Sequence, residues 1–263
     1  MAPKGLCRLT CTVSIVTVFN RSLETGHFPS SYKDSFITTL LKEPGSDSST
    51  PANYRPVSNL SVVSKLLERV VSSRMIAHLE KHQLLTPHQS AYRKGHSVET
   101  ALTKVLSDLI SSLDKGELVL LALLYLSAAF DTVDRAILLT RLESSFSLTD
   151  RALSRIRSYL DNRSQTVLFN GKASSRFNIP QGVPQESVIG PVLFVLYTAD
   201  IGSIAHRHDL PSHFYTDDSQ LYLSCRQDSI QATALRLNLC ISEIDELMAS
   251  NRLKLNQEKT DIL

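Results

Sequence analysis

The stretch Phe214-Tyr215-Thr216-Asp217-Asp218-Ser219-Gln220-Leu221-Tyr222-Leu223 sets two adjacent carboxylates between apolar and aromatic residues. Flanks of that kind predict two short strands, and the polar centre predicts the turn of a hairpin. Two like charges side by side repel unless a cation lies against them. A tight turn that holds both at a sheet edge is therefore an unusual feature, although Asp-Asp in a turn is also a common solvated loop. The choice between these rests on what surrounds it in the chain.

Upstream, Leu118 to Leu124 reads LVLLALL, a continuous apolar run that follows Gly116 directly. It is too short for a buried helix and predicts a central strand buried on both faces. Before it, Val98, Ala101, Leu102, Val105, Leu109 and Leu113 repeat at helical spacing behind Ser97 as N-cap, with Gly116 closing the segment. A second amphipathic helix is predicted from Ser61 to Lys81, with apolar positions at Val62, Val63, Leu66, Leu67, Val70, Val71, Met75, Ile76 and Leu79. Helices are also predicted over Thr132–Leu142, Thr149–Leu160, Ser187–Ala199 and Ser229–Ser250. A hairpin is expected where Asn170-Gly171 separates Thr166–Phe169 from Phe177–Ile179. Strands and helices mix without a regular βαβ repeat, which points to the α+β class, an antiparallel sheet with helices packed on one face. The segment Glu43–Asn53 is polar and turn-rich, a surface loop.

Composition bounds the rest. With 42% hydrophobic and 21% charged residues over 263 positions, the chain can bury a sizeable core, and it has no uninterrupted apolar run of bilayer-spanning length. Arg8 interrupts the mildly apolar run Gly5–Phe19 and no cleavage site follows, so a secreted protein is not expected. Four scattered cysteines (Cys7, Cys11, Cys225, Cys240) do not make a disulfide framework and fit a reducing, intracellular compartment, cytoplasmic or nuclear. A net charge of +2 would not by itself suggest nucleic acid. The local run Arg151, Arg155, Arg157, Arg163 and Arg176 reads either as a solvated helix face or as a phosphate track.

Three further blocks accompany the aspartate pair in order. Leu124-Tyr125-Leu126-Ser127-Ala128-Ala129-Phe130-Asp131-Thr132-Val133-Asp134 precedes it. Between them lies Pro180-Gln181-Gly182-Val183-Pro184-Gln185-Glu186-Ser187-Val188-Ile189-Gly190-Pro191, and Asn251-Arg252-Leu253-Lys254-Leu255-Asn256-Gln257-Glu258-Lys259-Thr260 follows. Together with Asn53-Tyr54-Arg55-Pro56-Val57-Ser58 and Gln89-Ser90-Ala91-Tyr92-Arg93-Lys94-Gly95-His96, this ordered series resembles the fingers and palm motifs of LINE-type (non-LTR) retrotransposon reverse transcriptases. The resemblance runs from about Val13 to the last residue.

It implies a right-hand polymerase: residues 1–35 an N-terminal extension, 36–117 fingers, and 118–263 palm ending before the thumb. It implies template-directed DNA synthesis from dNTPs on an RNA template and a DNA primer, through two magnesium ions about 3.5–4 Å apart. By the resemblance Asp217 and Asp218 hold metal, Lys259 is a general acid, and Arg93 and Lys94 meet triphosphate oxygens. Phe130 excludes a ribose 2′-hydroxyl, and Gln185 lies near the templating pair. Three residues depart from the family pattern. Tyr125 stands where the motif has its metal-binding aspartate, and a phenol with a pKa of about 10 is uncharged where an anionic ligand is needed. Glu186 stands where glycine is usual. Leu247 stands where tryptophan is common. Asp131 and Asp134 follow the strand and are not expected to replace the lost ligand. Impaired polymerase activity is the expectation; the alternatives are a non-catalytic nucleic-acid-binding remnant and a translated relic without a role.

Overall fold

The computed structural model of the protein describes residues 4–127, 129–256 and 259–263, with side chains from residue 14 onward save residue 52. In chain order the elements are α1 (Lys4–Thr25), β1 (Asp34–Leu41), β2 (Tyr54–Asn59), α2 (Val62–Lys81), α3 (Val98–Leu113) and β3 (Leu118–Ser127). Next come α4 (Arg135–Ser144), α5 (Asp150–Leu160), β4 (Arg163–Phe169), β5 (Lys172–Ala173), β6 (Phe177–Ile179), α6 (Gly190–Tyr197) and α7 (Asp200–Arg207). The last are β7 (Ser212–Tyr215), β8 (Asp218–Cys225), α8 (Ile230–Ser250), β9 (Lys254–Leu255) and β10 (Asp261–Ile262). No helix among the described residues is long and apolar enough to cross a membrane.

The chain forms two compact units, each built from two stretches: residues 1–75 with 139–190, and residues 76–138 with 191–263. In the first, β1 is the centre of a mixed sheet ordered β2-β1-β4-β5, with β6 also on β4. β1 runs antiparallel to β2 and parallel to β4, so Ile37 lies opposite both Ser58 and Val167. The Asn170-Gly171 turn closes β4 onto β5, with both residues at positive φ as a two-residue hairpin demands. Phe28, Leu67, Leu142, Phe146, Ile156 and Leu160 are buried in this unit. Sequence periodicity did not disclose β1 and β2, because β1 alternates over only part of its length and ends in exposed Leu40 and Leu41.

The second unit is an antiparallel sheet ordered β10-β3-β8-β7, with β9 also on β3. Its central strand departs from the expectation of burial on both faces. Ala122 and Leu124 are buried, whereas Leu121, Leu123 and Tyr125 on the opposite face are half-buried. On the Leu124 face, the paired residues Phe214 and Ser219 line a small cavity with Val195 and Thr198 of α6 and its end and with Ile201 and Gly202 of α7. α8 packs on α7 and β8, burying Leu237, Cys240, Ile244 and Met248. On the Leu121 face α3 covers one end, where the Tyr222 hydroxyl donates to Asp108 at 2.6 Å. Helices therefore lie on both faces of the sheet, and the end of the Leu121 face nearest Tyr125 carries polar groups.

α3 forms where Ser97 predicted it. Ser97 accepts from the Thr100 amide, and the Thr100 hydroxyl accepts from the Ser97 amide, a reciprocal cap. Its apolar face is a correction. Ala101 and Val105 are buried, but Val98, Leu102 and Leu113 point to solvent, because the small side chains are the ones that fit against the sheet.

Candidate active site

Asp217 lies in the two-residue turn of a tight hairpin, and Asp218 is the first residue of its second strand. β7 and β8 pair through Tyr215 and Asp218, leaving Thr216 and Asp217 as the turn. Thr216 adopts φ 59°, the left-handed conformation such turns require at their first central position. Asp218 is half-buried, and burial together with the Asp217 charge raises its carboxyl above the ordinary aspartate value, with Lys259 offsetting part of the rise. The two carboxylates thus interact electrostatically, and the Lys259 charge acts on Asp218 as well.

The block Gln89–His96 is fastened to the same hairpin. Phe214 receives the Ser90 amide at 3.0 Å and donates its own amide to His88 at 2.9 Å, extending the sheet by one bridge between Gln89 and Phe214. Tyr92 lies at φ 58°, beside Thr216 and the Asp217 charge, and burial raises its phenol above the usual value. Neither strain nor contact at Tyr92 was read from the sequence; an aromatic beside two basic residues gave no signal of a left-handed backbone. Arg93 donates to the Pro87 carbonyl at 3.1 Å, and Lys94 is exposed.

Residue 125 is fixed by register. β3 and β8 pair antiparallel with Tyr125 directly opposite Asp218, and directly opposed residues project from the same face of a sheet. On its other side the Tyr125 carbonyl accepts the Asn256 amide at 2.8 Å, which ties the strand to the segment bearing Lys259. Asp134 is occupied elsewhere. One of its oxygens accepts the Ala136 and Ile137 amides as the N-cap of α4, and the other meets Arg252 at 3.0 Å. Asp131 lies beyond the strand in the following turn. Phe130 is half-buried with its ring 4.9 Å from that of Phe194, so it is in part a core residue. Ala128 lies outside the described residues.

These donors do not complete a two-ion magnesium site. Magnesium takes hard oxygen ligands in octahedral array, and here the hairpin supplies two carboxylates while the facing strand supplies a tyrosine instead of a third carboxylate. Among the described residues, no cluster of three or more metal-ligating side chains is present.

Gln185 and Glu186 belong to the first unit. Glu186 has φ 56°, so the backbone keeps the left-handed shape that glycine adopts without strain. Its carboxylate lies 3.7 Å from Arg55, a basic residue of the first finger block, and both are exposed. Gln185 is half-buried. The loop carrying both is held by a residue the sequence reading overlooked. Glu68 of α2 is 1% exposed, accepts the Ser64 hydroxyl at 2.8 Å and the Val188 amide at 2.8 Å, and is within 3.5 Å of the Ile189 amide. Its sequence signal was faint: one charged position on the face that also carries Leu67, Met75 and Leu79.

The arginine run is neither a solvated face nor a phosphate track throughout. Arg155 is buried, donates to Ser22, and is lowered to about 10 by burial and the nearby Arg74 charge. Arg163 is buried against the Tyr159 ring, 4.6 Å from its centroid. Arg176 pairs with Asp34 at 2.6 Å.

The reverse transcriptase (RNA-dependent DNA polymerase) family model matches residues 41–263, and the chain belongs to that family. Its sequence relatives are those of LINE-type, non-LTR retrotransposons. It is 32% identical over 187 residues to the probable RNA-directed DNA polymerase from transposon X-element of Drosophila melanogaster, covering 71% of this chain and 20% of that protein. It is 25% identical over 250 residues to the RNA-directed DNA polymerase from mobile element jockey of the same species, covering 93% of this chain and 27% of that protein. The chain thus spans about a fifth to a quarter of the length of these relatives. Among solved structures, telomerase from Candida tropicalis in complex with a telomeric RNA fragment matches with a TM-score of 0.63 at 12% identity, over 90% of this chain and 42% of that one. An apo telomerase from the same species matches with a TM-score of 0.62 at 12% identity, over 89% and 51%. At that identity the likeness speaks for the fold alone.

Proposed function

We propose that this chain is the fingers and palm, over residues 36–117 and 118–263, of an enzyme that copies an RNA template onto a DNA primer from dNTPs, and that its chemistry is impaired in this copy. The observation that carries the proposal is the β3–β8 register, which sets Tyr125 directly opposite Asp218. A carboxylate at 125 would join Asp217 and Asp218 in holding divalent metal; a phenol cannot.

The remaining residues keep roles that need no metal. Arg93 and Lys94 follow Tyr92, which lies beside Thr216 of the hairpin, and would meet triphosphate oxygens through charge-assisted hydrogen bonds. Phe130, in the turn after β3, is the bulky ring that would exclude a ribose 2′-hydroxyl, and it stacks on Phe194 at 4.9 Å. Gln185, on the loop that Glu68 anchors, is the candidate for contact with the templating pair. Lys259, whose charge acts on Asp218, is the group we assign to donate a proton to a leaving pyrophosphate. Glu186 opposes this function by setting an anion next to Arg55.

The test is primer extension on an RNA template with magnesium, comparing the natural chain with Tyr125→Asp. Changes that merely support metal ligands cost about 10–100-fold, so restoring a ligand is expected to raise incorporation by at least about 100-fold. Robust extension by the natural chain would contradict the proposal.

A further inference from the structure

The outward face of α3 is apolar in the wrong place for a solvated helix. Val98, Leu102, Leu106, Ile110 and Leu113 are 48%, 51%, 53%, 55% and 57% exposed, while the residues this helix buries are the smaller Ala101 and Val105. On a helix of about 3.6 residues per turn the five form one continuous stripe roughly 24 Å long. The neighbouring outward positions Thr103 and Ser107 are small and uncharged. Lys104 and Asp108 are paired with each other, and Asp108 is turned toward the Tyr222 hydroxyl. A contiguous apolar patch of a few hundred Å2 is the size of the largest patch on a typical folded protein, and such patches often serve binding.

The geometry points to a second copy of this chain as the occupant: we propose that two chains pair through α3, antiparallel across a two-fold axis. The stripe is nearly symmetric about Leu106, with Leu102 and Ile110 four residues to either side and Val98 and Leu113 eight and seven residues away. A two-fold axis at Leu106 sets that side chain against its own copy, Leu102 against Ile110, and Val98 against Leu113. The antiparallel arrangement also opposes the two helix dipoles favourably. Five half-exposed aliphatic side chains from each copy would put roughly 1,000 Å2 into the interface, the lower end of what a specific contact needs. The dimer is accordingly weak, with a dissociation constant on the order of 1–100 μM. Nothing in this argument uses the polymerase reading, so the two stand or fall separately.

Sedimentation equilibrium of the whole chain across that concentration range tests the pairing. The natural chain is expected to dimerise, and Leu106→Glu, a change at an exposed position, to weaken association at least tenfold while the far-UV circular dichroism stays unchanged. Leu106→Cys should oxidise to a covalent dimer faster than either the natural chain or Ser48→Cys, which lies in the exposed loop after β1. A chain that stays monomeric to about 100 μM, whether its stripe is left bare or covered only by an added protein, overturns the proposal. So does a dimer indifferent to Leu106→Glu, or one in which the two cysteine variants cross-link alike.

Discussion

Asp218 and Glu186 each carry a cost that a single substitution should expose. Burial and the Asp217 charge raise the Asp218 carboxyl, so the folded state favours its protonated form. A carboxyl raised on folding adds stability that is fully present below the usual value of 3.8 and is lost as the pH climbs through the raised one. Asp218→Asn, which cannot ionise, should therefore raise Tm by about 2 °C near pH 7 in metal-free buffer, with no gain near pH 3. Equal effects at both pH values would contradict the origin given for the shift. At residue 186 a side chain is held at φ 56°. The left-handed region costs an L-residue about 1–2 kcal/mol, partly offset by glycine's freer unfolded chain. Glu186→Gly should thus stabilise by about 0.5–1 kcal/mol in urea unfolding, whereas Glu186→Ala, which keeps a Cβ, should not. The exposed pair with Arg55 adds little to stability either way.

At the scale of elements, α2 does more than supply a core face. Through Glu68 it holds the loop on which Gln185 and Glu186 lie, with a buried carboxylate accepting the Val188 backbone amide at 2.8 Å. Removing one partner of a buried charged hydrogen bond costs about 1–3 kcal/mol. Glu68→Ala should destabilise by that order and speed hydrogen exchange at Val188 and Ile189, while Glu68→Gln, which keeps an acceptor, should preserve most of their protection. Unchanged exchange in Glu68→Ala would show that the loop is held by other means. The elements also show where sequence patterns suffice. The caps and periodicity around Ser97, the Asn170-Gly171 turn and the Tyr215–Asp218 hairpin all rest on local chemistry, and each was legible. β1 and β2, the burial of Arg155 and Arg163, and the outward stripe of α3 depend on partners distant in the chain, which no local pattern encodes.

For the whole molecule, the ordered blocks that suggest the candidate site are local sequence and could be read directly, and the strand register sets Tyr125 opposite Asp218. The contacts of Tyr92 and Glu68 were not legible, since both arise only when distant segments meet. A net charge of +2 spread over the chain adds no signal of its own for nucleic acid. The account therefore turns on one position, and metal affinity reports on it without requiring synthesis. Manganese(II) can be titrated by electron paramagnetic resonance into the natural chain, Tyr125→Asp, and the double variant that adds Asp217→Asn. Tyr125→Asp is expected to tighten binding by about 10–100-fold, and the second change to abolish the gain. Equal affinity in the natural chain and Tyr125→Asp would contradict the claim that residue 125 stands at the metal-holding position.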